Sequence, residues 1–282
     1  MSKQNSLLVG LDLSPMDDFL LSFLDENAQK ITDQRIIILH ITANERTASE
    51  VREAQILQNL PQSLAGSEII IKSGNPEKEL ERICEAMKID MVVLGQKPEP
   101  ENHIKAGKFS EKAKSSLLLI PAKEDYKINS VCVALDFSDN SITVLRAARN
   151  IADNLGAHLK GLHTYQVPSG YHKTGKDHKE FAREMEHNAK KEAEIFFKKT
   201  GISIDMNYRY EEDQNTAQCI AGYVSENPVD LLIMGSKGRT NAASVIHGSV
   251  AKKAIREIQH TPVMILKRKN KNMDLIDAIK EV

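Results

Sequence analysis

Ser6-Leu-Leu-Val-Gly-Leu-Asp12-Leu-Ser14 returns further along the chain as Ser130-Val-Cys-Val-Ala-Leu-Asp136-Phe-Ser138. Each is a short apolar run closed by Asp-x-Ser, the pattern of a strand buried on both faces that ends in a polar turn and a helix start. Other runs recur in the same order. Ile36-Ile-Ile-Leu-His40-Ile41 answers to Leu159-Lys-Gly-Leu-His163-Thr164, and Ile89-Asp90-Met-Val-Val-Leu-Gly95 to Val229-Asp230-Leu-Leu-Ile-Met-Gly235. Leu117-Leu-Leu-Ile120 and Val263-Met-Ile-Leu266 close the two series. Between them lie amphipathic helical patterns such as Asn140 to Leu155 and Thr216 to Glu226, so strand and helix alternate throughout, which predicts parallel sheets with crossover helices.

A chain of 282 residues suits two domains of ordinary size. The charged stretch Ala122 to Lys127 lacks apolar periodicity and is expected to link them. The predicted boundaries are 1–124, 125–268 and a C-terminal tail 269–282. The tail joins the basic run Lys267-Arg-Lys-Asn-Lys to Met273-Asp-Leu-Ile-Asp-Ala-Ile-Lys, whose apolar residues share a helical face. The loop Gln166 to Lys179 interrupts the repeat as an excursion after the second strand of the second copy.

A net charge of −1, 5% aromatic residues and no Trp argue against nucleic acid or an anionic membrane as partner. Cys84, Cys132 and Cys219 match no metal or disulfide spacing and are expected as buried apolar residues. The apolar run at Leu7 follows the N-terminus at once, and no stretch of about 20 apolar residues occurs, so a cytoplasmic location is expected. His163, His172, His178 and His187 lack zinc-site spacing, and His172 to Lys199 reads as a solvated helix with i,i+4 charge pairs.

The chemistry concentrates in Gly235-Ser-Lys-Gly238-Arg-Thr-Asn-Ala-Ala-Ser-Val-Ile-His-Gly248-Ser249, directly after an apolar strand. Parallel sheets bind ligands where strands end at the carboxyl edge. Gly235 and Gly238 let the backbone turn and a ligand approach main-chain N–H groups, while Gly248 and Ser249 open a helix whose first amides and dipole suit phosphate. Lys237 and Arg239 lie within the same loop as candidate phosphate partners or simply solvated cations. The fragment Ala106-Gly107-Lys108 lacks the first glycine of a P-loop, since Asn102 stands there.

The spacing Gly-x2-Gly-x9-Gly-Ser, with Asp136, His163 and Thr261-Pro-Val, resembles the nucleotide motif of the universal stress protein family, in a tandem two-domain arrangement. That resemblance implies two tandem Rossmann-like domains of the adenine nucleotide alpha hydrolase-like type, each an open five-stranded parallel sheet flanked by helices. It implies ATP, with Mg²⁺ as a possible companion ion, in the second domain. Asp136 would then contact the adenine side with Ala134 and Leu135 lining the pocket, and Thr164 would pack near the base. Met234 and Gly235 would border the ribose, and Gly238, Gly248, Ser249 and Val250 the phosphates. It also implies that Leu117–Ile120 and Val263–Leu266 pair within the chain as a pseudo-dimer, leaving a further homodimer open.

In the first copy the loop reads Gly95-Gln-Lys-Pro98-Glu-Pro100, and Lys108 stands in place of the helix-opening serine. Proline fixes φ and removes an N–H, so this copy is expected to be degenerate for nucleotide and to serve a structural or partner-binding role. Three functions stay open: a stress-response regulator that binds adenine nucleotide and an unknown protein partner, a slow ATPase, and a nucleotide-free interaction module. No nucleophile or general base is identifiable from spacing.

Overall fold

The apolar runs become strands with little exposed surface because helices cover both faces of the sheet. In chain order they are β1 (Ser6–Leu11), β2 (Arg35–Thr42), β3 (Glu68–Ser73), β4 (Met91–Gln96), β5 (Ser116–Pro121), β6 (Ser130–Ala134), β7 (His158–Tyr165), β8 (Asp205–Tyr210), β9 (Leu231–Gly235) and β10 (Val263–Leu266). The helices are α1 (Met16–Ile31), α2 (Ser49–Asn59), α3 (Pro76–Met87), α4 (Ala106–Lys112), α5 (Asp139–Leu155), α6 (His178–Thr200), α7 (Thr216–Glu226) and α8 (Ser249–Glu257). This computed structural model describes residues 6–31, 35–42, 49–97, 106–168, 170–175, 177–211, 215–237 and 249–267. The tail 269–282, Pro98, Arg239 and most of the loop carrying Gly238 and Gly248 lie outside them.

Several helices start where the sequence supplies a cap. The Asn75 side chain accepts from Lys78 N ahead of Pro76, Asp177 accepts from Glu180 N, and Asn215 forms a capping box with Gln218.

The strands form one ten-stranded sheet in the order β3-β2-β1-β4-β5-β10-β9-β6-β7-β8. Read outward from the middle, each half has the same strand order. Neighbours within a half are parallel, and the halves join through the antiparallel pair β5–β10, with Val263 opposite Leu119, Met264 opposite Leu118 and Ile265 opposite Leu117. The joint removes two bare strand edges from the surface. The remaining edges, β3 and β8, are half-exposed, and the repeat in the sequence does not mark them.

Two apolar layers result. Leu118, Ile120, Met264 and Leu266 face the layer under α1, α2, α5 and α6, whereas Leu117, Leu119, Val263 and Ile265 face the layer under α3, α4, α7 and α8. All three cysteines are free and buried, and burial pushes the Cys84 and Cys132 thiols up to about 12. Among the described helices none is long and apolar enough to cross a membrane.

The stretch Ala122–Lys127, read from its charges as a tether, is pinned at one point. Tyr126 is buried edge-on against Phe23 with ring centroids 5.4 Å apart. Its hydroxyl donates to Pro121 O at 2.6 Å, and its carbonyl accepts from Asn27 Nδ2 at 3.1 Å. Burying such a ring stabilises by roughly 1.5–3 kcal/mol, so the connection is part of the core.

Candidate functional site

Strand order reverses at β1/β4 in one half and at β6/β9 in the other, and parallel sheets open ligand crevices at such points. In the second half β6 ends beside β9, with Ala134 in register with Met234, and beside β7, with Ala134 in register with Leu162. Leu135 N donates to Leu162 O at 2.9 Å, and the His163 ring nitrogen Nδ1 lies 2.7 Å from Leu135 O, so the imidazole holds the end of β6 in place.

Asp136 follows. Its Oδ1 accepts from Ser138 N at 3.0 Å, Ser138 Oγ at 2.7 Å and Ser141 Oγ at 2.5 Å, while its own N donates to Ser141 Oγ at 3.2 Å. Its Oδ2 is buried and meets no hydrogen-bond partner among the described residues. An unsatisfied buried oxygen is unfavourable by about 1–3 kcal/mol, so this atom is poised for an N–H or O–H donor that the described residues do not provide. The next residue, Phe137, turns the chain with φ 59°, in the left-handed region that side chains disfavour, and stacks on His163 at 4.4 Å.

Gly235 ends β9. A Cβ there would stand 3.2 Å from Val144 Cγ2 of α5, so the strand end and the helix after Asp136 approach too closely for a side chain without adjustment. Ala134, Leu135, Asp136, Thr164, Met234 and Gly235 thus gather on the carboxyl ends of three adjacent strands. Ser249 and Val250 lie in the first turn of α8, the helix start that the sequence predicts. That helix is tied to the first half: Gln96 Nε2 at the end of β4 donates to Ile255 O at 2.9 Å and Ile258 O at 2.7 Å. Gly107 of α4 also packs against Lys252, leaving only 3.0 Å to its Cγ for an added Cβ. Lys237 is exposed.

The first half repeats the frame with different chemistry. His40 Nδ1 lies 3.0 Å from Leu11 O, and Leu13 follows Asp12 with φ 60°. Five residues beyond Asp12, where the second half has Ser141, stands Asp17, whose carboxylate accepts from Asp12 N at 3.2 Å and Leu13 N at 2.7 Å. Burial pushes the Asp17 carboxyl up to about 6, opposed by those backbone donors and reinforced by the Asp12 charge. Asp12 turns to Lys97, with Oδ2 2.5 Å from Nζ; burial alone would raise its pKa, but Lys97 and Ser14 hold it below the usual carboxylate range.

A cavity of about 250 Å³ opens here, lined among others by Asp12, Asp17, Leu39, His40, Arg52, Leu94 and Lys97. Sequence reasoning centred the search on the loop after β9 and did not single out this cavity, Arg52, Lys97 or Ser141. The one available signal was Asp-x-Ser-x-x-Ser at Asp136 to Ser141, which places a second hydroxyl one helical turn on.

Fold and strand-end geometry define an α/β protein with a mostly parallel sheet whose strand order reverses at two switch points, where such sheets bind ligands. A model of the universal stress protein family matches residues 127–267, half of the chain, which therefore belongs to that family. A universal stress protein of Methanocaldococcus jannaschii is 34% identical over 91 residues, covering 32% of this chain and 51% of the relative; the chain spans about half the length of this curated relative. A universal stress protein of Archaeoglobus fulgidus DSM 4304 superposes with a TM-score of 0.63 at 19% identity, covering 95% of this chain and all (100%) of that one. A Pseudomonas aeruginosa UCBPP-PA14 protein described as a candidate universal stress protein superposes with a TM-score of 0.68 at 14% identity over 94% of each chain. At these identities the two structures establish the fold alone.

Proposed function

We propose that the chain is a cytoplasmic stress-response regulator that binds ATP or a related adenine nucleotide through a second domain, residues 125–268, while a first domain, residues 1–124, is its structural or partner-binding mate. The observation that carries this reading is Asp136 Oδ2, buried without a donor among the described residues at the switch point of the half that the family model matches. The adenine amino group is a donor of the required kind. Support also comes from Gly235, where a side chain would press on Val144, and from Ser249 and Val250 at the start of α8, where helix amides and dipole favour phosphate. Three unpaired cysteines accord with a reducing compartment.

Bound nucleotide would supply a polyanion, and the chain's residues would hold it: Asp136 with Ala134, Leu135 and Thr164 on the base side, Met234 and Gly235 along the ribose, and Gly238, Gly248, Ser249 and Val250 at the phosphates. Since α8 is gripped by Gln96 and packed on α4, order gained at its first turn would reach the first half, giving the pseudo-dimer a means of reporting occupancy. The test is to denature freshly purified protein and count released adenine nucleotide, in the wild type and in Gly248→Trp. About one nucleotide per chain, absent from the variant, is the expected result; none from wild type would refute the reading.

A further inference from the structure

The cavity at the end of β1 has features that the nucleotide reading of the second half leaves unused. Arg52 reaches into its wall from α2, and Nη1 lies 2.8 Å from His40 Nε2. Because Leu11 O can only accept, the His40 proton belongs on Nδ1, which leaves Nε2 as an acceptor for the guanidinium. His40 is thereby neutral, its pKa lowered first by burial and further by the Arg52 charge. The contact fixes Arg52 without neutralising it. Among the described residues no carboxylate pairs with Arg52, and its Nε is buried without an acceptor. A half-buried guanidinium in this state lacks the anion that ordinarily compensates such a charge.

The other charges on the wall are already matched. Asp12 is taken by Lys97, and Asp17 accepts two backbone N–H groups. Apart from Thr42 the remaining lining is apolar, including Leu39, Leu80 and Leu94. A volume of about 250 Å³ lies just below the range that holds drug-sized ligands. Two carboxylates nearby disfavour a highly charged guest, and Pro98 and Lys108 remove the features that would cradle a phosphate chain. A planar monoanion suits the fork of an arginine. We propose that the first half binds a compact monocarboxylate, with its carboxylate on Arg52 and its apolar body against Leu39, Leu80 and Leu94.

Hexanoate is a suitable probe, with hexan-1-ol as its uncharged counterpart and the full chain titrated in a calorimeter. Hexanoate is expected to bind at least tenfold more tightly than the alcohol. Arg52→Met should remove that preference, Arg52→Lys should retain only part of it, and Gly248→Trp, which addresses the other half, should leave it unchanged. Equal binding of acid and alcohol to the wild type would overturn the proposal without recourse to any variant. So would undiminished hexanoate binding in folded Arg52→Met or Arg52→Lys, or displacement of hexanoate by ATP in Gly248→Trp, which would make the cavity a nucleotide site.

Discussion

Asp136 and Asp12 end equivalent strands, each followed by a residue in the left-handed region and each beside a histidine that clasps the strand end, yet their second oxygens differ. Among the described residues Asp136 Oδ2 is buried with no donor, whereas Asp12 Oδ2 holds Lys97. The cause lies five residues on. In the second half the Ser141 hydroxyl donates to Asp136 Oδ1 and accepts from its N. In the first half Asp17 brings a second negative charge, and Lys97 turns inward to balance the pair, while its counterpart Lys237 stays exposed. One exchange of hydroxyl for carboxylate thus accompanies a loop lysine turned onto the strand end in one half and left exposed in the other, and on the proposed reading it separates the ligands that the two frames suit.

Four substitutions probe this contrast. The largest effect is expected from Asp17→Ser, which gives the first half the residue of the second. Burial holds the Asp17 proton to about pH 6 in the folded chain against 3.8 as the reference. The stability this gives is complete below 3.8 and is lost as pH rises through about 6. The variant should gain on the wild type by on the order of 3 kcal/mol between acid and neutral pH, read by urea unfolding at both ends. A pH-independent difference would break the comparison. Phe137→Gly relieves the backbone but discards ring contacts with His163 and Phe196, and should destabilise by about 2 kcal/mol in thermal unfolding.

Ser141→Ala should cost about 1 kcal/mol by urea titration, since it strips a donor from Asp136. Leu13→Gly is expected to change stability by no more than about 0.5 kcal/mol: strain relief and the freer unfolded chain offset each other, and Leu13 is 36% exposed with little packing to lose. A loss near that of Phe137→Gly would mean that Leu13 has a hidden packing role.

The sheet was legible in the sequence because parallel strands between two helical layers must be apolar on both faces, which writes Leu7–Leu11 and Val131–Leu135 as unbroken runs. Asp136, Gly235 and the start of α8 at Ser249 were legible for a similar reason: strand ends and helix starts impose local chemistry. What stayed hidden rests on contacts between distant residues. Nothing near Tyr126 announces that it packs on Phe23, and the charges around it suggest the opposite. Arg52 reads as one more cation on a polar helix until His40 is brought beside it. Lys97 looks like its solvated counterpart Lys237 until Asp17 is buried next to Asp12. The first loop's departure from the repeat was visible in Pro98, but the cavity at the end of β1 was not, because its walls come from strands and helices spread over residues 10–106.

The asymmetry itself is tested most directly by titrating ATP into nucleotide-stripped protein carrying Asp136→Ala or Asp12→Ala and comparing both with the wild type. One site per chain, lost or weakened at least tenfold in Asp136→Ala and unaltered in Asp12→Ala, is the predicted result. Two sites per chain, or a loss that follows Asp12 rather than Asp136, would contradict it.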